Sequence, residues 1–208
     1  MNRRRAMIAL LGSAALPGSI RLASAQAPAQ VGKPAPAFKV PDTDGQIRQL
    51  SDFAGKPVVL EWTSPSCPFV RAQYQSGVMQ ELQKLAAKQG AVWLSVLSTH
   101  PSRRDYLPPG KAMALHDGRR AASSALLMDA EGTLGKAYGA VVTPHIFIVG
   151  ADGKLVYAGA TGDKSTTQAD EVRTSRSFIR EALADLAAGR KVATPTSRPF
   201  GCTVAYRG

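Results

Sequence analysis

The sequence predicts an α/β chain with a central mixed β-sheet, flanking helices and a β-hairpin in front of them. Three observations predict it. Two apolar, β-branched runs, "PVVLEW" at 57–62 and "AVWLSVLS" at 91–98, enclose a stretch of helical periodicity, which makes a β–α–β unit. "HIFIVGADGKLVYAG" at 145–159 is a hairpin turned at Asp152-Gly153. Helical spacing returns from Thr174 to Ala188, with Phe178, Ile179, Leu183 and Leu186 on one side. A parallel unit and a hairpin in one chain require strands running both ways.

The elements follow in order. "QAPAQVGKPAPA" at 26–37 is an extended lead-in, because its prolines oppose helix; Val31 and Phe38 are placed to dock on a core. "FKVPDTDGQIRQL" gives two short strands around Asp44-Gly45. Ser51 caps a helical turn that Gly55 stops. After the first core strand, Ser66 is the expected cap of a helix with Pro68 in its first turn and Gly90 at its end; Gly77 bends or breaks it. A polar, proline-rich connection runs from Thr99 to about Gly110, then a short helix over 111–121. "ALLMD" is a strand and "EGTLGKAYG" a helix ended by Gly139. The tail "KVATPTSRPFGCTVAYRG" carries the second of two cysteines, Cys202.

The first 25 residues have the pattern of a signal peptide. Arg3, Arg4 and Arg5 precede a short apolar run, Ala6 to Leu16, and "ASA" at 23–25 offers a cleavage site. The paired arginines resemble a twin-arginine signal, and an ordinary secretory signal or an uncleaved anchor fits the same residues. Removing the leader lowers the formal charge from +11 to +7. The basic residues are dispersed and no aromatics interleave with them, which argues against a nucleic-acid surface. Beyond the leader no apolar run is long enough to span a membrane. An exported chain, periplasmic on this pattern, occupies a compartment that permits disulfides.

"SPSCPFVR" at 64–71 holds the chemistry. Cys67 lies where a strand ends and a helix begins, and unpaired N–H groups with the helix dipole favour the thiolate there. Ser64 and Ser66 offer hydroxyls, and Arg71 lies one turn on. A buried structural cysteine is the other reading of the same residue.

From these residues the chain resembles the thioredoxin-like superfamily, in its redoxin branch of alkyl hydroperoxide reductase/thiol-specific antioxidant and peroxiredoxin-like proteins. The resemblance covers about residues 31–189, leaving 190–208 as a tail. "VGKPAPAFKVPDTDGQIRQLSDFAGKPVVLEW" is similar to that branch's entry, "CPFVR" to its active-site segment, and "VVTPHIFIV" to its cis-proline segment. The resemblance implies a thioredoxin-like fold and thiol oxidoreductase activity on a hydroperoxide or disulfide, with no organic cofactor. A thioredoxin-like protein or small thiol would be the reductant. Cys67 is then the nucleophile and Ser64 a hydroxyl donor to its sulfur. Pro144, cis after Thr143, presents backbone to the reacting disulfide.

The departures are equally informative. Val70 stands where the second active-site cysteine belongs, so no C-x-x-C disulfide can form. Leu60 replaces the proline of the peroxiredoxin P-x-x-x-[TS]-x-x-C pattern. Arg71, Arg119, Arg120 and Arg176 are candidates, by charge alone, for an arginine beside the sulfur. Cys202 is the implied resolving thiol, on a tail that folds back to Cys67 and loosens on reduction; a permanent disulfide also pairs them. His145 follows the implied cis-proline, as a proton carrier or a satisfied strand residue. His100 and His116 show no zinc spacing. Glu61 and Trp62 end the first core strand, where Glu61 is either a proton relay or a solvent-facing acid. The competing class is a non-catalytic redoxin-fold module with a structural disulfide, binding a partner or copper.

Overall fold

The computed structural model describes residues 28–207, so the expected signal peptide lies outside the described residues. The chain opens with a hairpin of β1 (Lys39–Pro41) and β2 (Ile47–Gln49). A 3₁₀ turn over Leu50–Phe53 follows. Gln49 and Asp52 form its capping box, so the cap is two residues earlier than Ser51.

The main sheet has the order β5–β4–β3–β7–β8. Strands β3 (Val58–Trp62), β4 (Val92–Leu97) and β5 (Ala125–Met128) are parallel. Strands β7 (His145–Val149) and β8 (Leu155–Gly159) add an antiparallel hairpin against β3. All five residues of β3 are buried, as a central strand covered on both faces requires. Side chains alternate along it. Val58, Leu60 and Trp62 join Phe38, Leu127, Tyr138 and Phe147 on one face. Val59 joins Trp93, Ile146, Ile148 and Ile179 on the other.

The expected helix after Cys67 is two helices, α1 (Pro68–Gln75) and α2 (Val78–Lys88). Gly77 takes φ 84° between them, a left-handed conformation that ends the first helix and re-aims the second. Ser66 is not the cap of α1: its hydroxyl donates to Asp105, and Cys67 itself is the N-cap residue. Helix α3 (Pro109–Gly118) ends three residues before the expected limit, and α4 (Thr133–Tyr138) lies as expected. The helix expected over 174–188 is α6 (Phe178–Ala187), which starts four residues later at the Ser177 side-chain cap, and a short helix, α5 (Ala169–Arg173), precedes the expected range. Among the described residues no helix is long and apolar enough to cross a membrane.

The tail is docked. Its Cys202–Thr203 segment, β9, pairs antiparallel with β6 (Val142–Thr143), a ribbon the sequence does not announce. Before it, Ser197 accepts the Ala160 N–H at 2.9 Å and bonds the Tyr157 hydroxyl at 2.7 Å. After it, Val204 is buried in the main core. The Tyr206 ring lies against Gly132 and Gly135 so closely that a Cβ at either would clash. Its hydroxyl donates to the Ala140 carbonyl at 2.8 Å. Burying Val204 contributes roughly 1.5–3 kcal/mol, and each hydrogen bond about 1 kcal/mol. The tail is therefore a strap anchored on both sides of Cys202 by contacts independent of that residue.

Candidate active site

Cys67 and Cys202 form a disulfide, with Cα atoms 5.8 Å apart and a sequence separation of 135. Cys67 closes the loop that leaves β3 and is 1% exposed; Cys202 is partly exposed. Cys67 has extended backbone, φ −71° and ψ 120°, and its carbonyl accepts the first helical bond from the Arg71 N–H at 2.9 Å. The unpaired N–H groups of the first turn of α1 thus lie beside the sulfur's residue.

The Thr143–Pro144 bond is cis. The Thr143 carbonyl oxygen lies 3.0 Å from the Cys67 sulfur, so the cis-proline segment borders the disulfide. Gly201 takes φ 143° and packs on that same carbonyl, where a Cβ would overlap Thr143 backbone. Gly201→Ala is expected to weaken the disulfide at least about fivefold in a glutathione redox buffer, since such backbone strain costs about 1–3 kcal/mol. An unchanged equilibrium would contradict this role for the close approach.

Ser64 is buried, and its carbonyl, together with that of Pro65, accepts from Arg119 Nη2 at 3.0 Å each. Of the four candidate arginines, Arg119 is therefore the one bonded to the loop before Cys67. Its guanidinium lies 5.4 Å from the centroid of the Tyr74 ring. Arg71 and Arg120 join it in lining an open cavity of about 640 Å³ beside Pro65, whereas Arg176 pairs with Glu181.

The Tyr74 hydroxyl donates to Glu61 Oε1 at 2.9 Å. Glu61 does not face solvent: it is wholly buried between β3 and the first two helices. Oε2 accepts from Gln83 at 3.2 Å, Trp93 Nε1 at 2.9 Å and Ser95 at 3.1 Å. Burial raises its pKa, and the bonds from Trp93, Tyr74, Ser95 and Gln83 oppose that rise. Trp62 points to the other face and donates to Ser98 at 3.0 Å.

His145 shares the Phe147 side of β7, the face opposite the cluster that holds Cys67. Its Nδ1 accepts the Val141 N–H at 3.5 Å. Burial lowers its pKa to about 4. His116 is likewise lowered to about 4, by burial first and then by Arg119, and its Nε2 bonds Ser123 at 2.7 Å. Unfolded, each ring would protonate near pH 6.5. Between about pH 6.5 and 4 the unfolded chain therefore binds more protons at these two rings, and their contribution to stability falls as pH falls. Their ring proton resonances are expected to keep neutral-form shifts down to about pH 5; titration near pH 6.5 would refute this. Among the described residues no group of three or more His, Cys, Asp and Glu is placed to hold a metal ion.

Several site residues had no individual signal in the sequence. Thr143 acts through its carbonyl, and Gly201 acts through having no side chain. Phe200, whose ring is tilted against that of Phe69 with centroids 5.9 Å apart, lies in a tail whose docking surface is assembled from β8, β6 and α4.

Comparison with known proteins agrees with this geometry. No curated protein matches the sequence. A hypothetical protein from Sinorhizobium meliloti is similar in structure, with TM-score 0.73 and 22% identity over 86% of this chain and 96% of that one. The peroxidoxin BcpB of Mycobacterium tuberculosis matches with TM-score 0.53 and 23% identity, over 78% and 99%. A putative thiol:disulfide interchange protein DsbE from Chlorobium tepidum matches with TM-score 0.52 and 22% identity, over 70% and 96%. These likenesses establish a thioredoxin-like fold. The AhpC/TSA family model matches residues 31–158, more than half of the chain, and with the cis-proline beside a helix-capping cysteine it leads to one conclusion: this protein belongs to the AhpC/TSA family.

Proposed function

We propose that the chain is an exported thiol oxidoreductase that reduces a hydroperoxide or exchanges disulfides through Cys67, with Cys202 as its resolving thiol. The observation that carries this reading is the pairing itself. The helix-capping cysteine is joined to the only other cysteine in the sequence, beside the cis-proline.

In the peroxide form of the reaction, the Cys67 thiolate attacks the terminal oxygen of the hydroperoxide. The O–O bond breaks, the alcohol leaves with a proton, and Cys67 becomes a sulfenic acid. The Cys202 thiol then attacks that sulfur and releases water, which forms the disulfide. Two electrons from an external thiol reductant, small or thioredoxin-like, restore both thiols. Ser64, within the same loop, donates its hydroxyl to the Cys67 thiolate in the reduced state. Pro144 holds the Thr143 carbonyl turned toward the sulfur pair. Residues 1–25 supply the export signal in this reading, which makes the protein periplasmic.

Peroxide consumption and thiol titration of the reduced protein test the proposal together. Alkylation of Cys67 by iodoacetamide is expected to have a midpoint below the ordinary thiol value of about 8.5, because Cys67 caps α1. A midpoint at or above that value, with no peroxide consumed and no disulfide exchanged, would reject the enzyme. The remaining reading would be a redoxin-fold binding module, which the doubly anchored strap favours.

A further inference from the structure

We infer that the arginine-lined cavity beside the Cys67 loop seats the carboxylate of an organic substrate, held by Arg71 and Arg120. That the seated molecule is a substrate rests on the thiol oxidoreductase reading; that it binds does not.

Place and charge give the first argument. The cavity, about 640 Å³, has the size of a small-molecule site. It follows the start of α1: Pro65 lies two residues before Cys67, and Arg71 four residues after it, one helical turn on. Three of its ten lining residues are arginines, and none is Asp or Glu. Among the described residues none of the three lies within salt-bridge distance of a carboxylate, whereas Arg48, Arg173, Arg176, Arg180 and Arg190 all do. Cations around one cavity without a counter-charge repel one another, and a bound anion relieves that repulsion.

The three arginines divide their roles. Arg119 is committed to the loop, with Nη2 on the Ser64 and Pro65 carbonyls, and burial is the first cause that lowers its pKa. Arg71 and Arg120 are exposed, and their planar N–H forks match a carboxylate. Arg120 stands there against its backbone preference. It takes φ 52°, the one positive φ outside glycine among the described residues. It follows Arg119, the C-cap of α3, at the position where glycine is the ordinary residue.

The rest of the lining sets the class of ligand. Gln80 is 8% exposed and lines the same cavity. Its Nε2 donates to the Tyr74 carbonyl at 3.0 Å and the Arg119 carbonyl at 2.7 Å, which fixes the amide. Oε1 is left as a buried acceptor without a donor. Such an atom is uncommon, and at a cavity wall it calls for a bound water or a donor group on a ligand. Pro65 and Leu115 add apolar wall, which an organic body covers and a bare inorganic anion does not.

The test titrates the oxidised full-length chain by calorimetry with para-isopropylbenzoate, its neutral isostere para-isopropylbenzamide and inorganic phosphate. The benzoate is expected to bind more tightly than the other two, and less tightly as salt is raised. Arg71→Gln and Arg120→Gly are each expected to weaken it at least about fivefold, by loss of a charge-assisted contact at a partly screened site. Arg120→Gly also relieves the left-handed backbone, so its thermal midpoint is expected to hold or rise while its binding falls, a split that a merely structural arginine would not show. Rate constants for oxidation of the reduced protein are then compared for cumene hydroperoxide and its para-carboxylate, and for hydroxyethyl disulfide and dithiodipropionate. The charged member of the reactive pair is expected to be faster at least about fivefold, a ratio that falls in both variants. Equal binding of benzoate and benzamide, phosphate bound as tightly as benzoate, or variants that bind like the wild type overturn the inference. Equal rates for charged and neutral substrates in an active enzyme overturn it as well. Arginine-dependent benzoate binding by a chain that reacts with neither pair fails the oxidoreductase reading and leaves the binding site standing.

Discussion

Treated with two or more equivalents of hydrogen peroxide, one for each oxidation step, the reduced Cys202→Ser variant is expected to accumulate sulfinic acid on Cys67 at least about tenfold over the wild-type chain. The wild type is expected to accumulate the Cys67–Cys202 disulfide instead. Sulfenic acid escapes oxidation to sulfinic acid only if a thiol condenses with it, forming a disulfide and water, before a second peroxide arrives. Val70 removes the neighbour that a C-x-x-C segment would supply. The strap replaces it: Val204 and Tyr206 on one side, and Ser197 on the other, keep residue 202 near residue 67 without help from the disulfide. Tethering of this kind gives effective concentrations of millimolar or more. Only the segment between the anchors, about residues 198–203, needs to lift for peroxide to enter. Peptide mapping after the reaction reads both products. Equal sulfinic acid in the two proteins would show that Cys202 does not resolve Cys67 and that an external thiol does.

Glu61→Leu is expected to lower the stability of the oxidised protein by about 3 kcal/mol or more, because a buried donor left without an acceptor costs about 1–3 kcal/mol. Four side chains, Tyr74, Gln83, Trp93 and Ser95, lose their common acceptor in that variant. The damage extends towards the active site. Tyr74 lies under Arg119, and Arg119 holds the Ser64 and Pro65 carbonyls ahead of Cys67. Glu61→Gln retains an acceptor oxygen and is expected to lose less. Urea unfolding of the three oxidised proteins compares them with the disulfide intact. A loss below about 1 kcal/mol in Glu61→Leu would mean that water or rearrangement satisfies the donors.

What could be foreseen and what could not divides along physical lines. The runs that became β3, β4 and β7 were legible because strands covered on both faces are largely apolar, and β8 because buried and half-buried positions alternate along it after a hairpin turn. The hairpin turns were legible because few residues besides Gly, Asn and Asp favour their backbone. Cap positions were less so: Ser66 has the better capping chemistry, yet Asp105, distant in sequence, takes its hydroxyl. Glu61 showed only that an acid ends a strand. Its burial is decided by four donors arriving from α1, α2 and β4.

By itself the sequence determined an α/β chain with its strands in this order, a thiol at a strand–helix junction, and the absence of a second cysteine three residues on. Those are local properties, set by hydrophobic periodicity, turn residues and the few residue types able to carry redox chemistry. Only the tertiary structure decided that Cys202 reaches Cys67, and with which backbone. That meeting spans 135 residues and depends on surfaces that exist once the sheet has formed. They are the β6 edge that pairs with β9, the slot at Gly132 and Gly135 that takes Tyr206, and the bare Cα of Gly201 against the Thr143 carbonyl. A strap of this kind has little structure of its own to encode, because most of its hydrogen bonds and all of its burial come from elements remote in the chain.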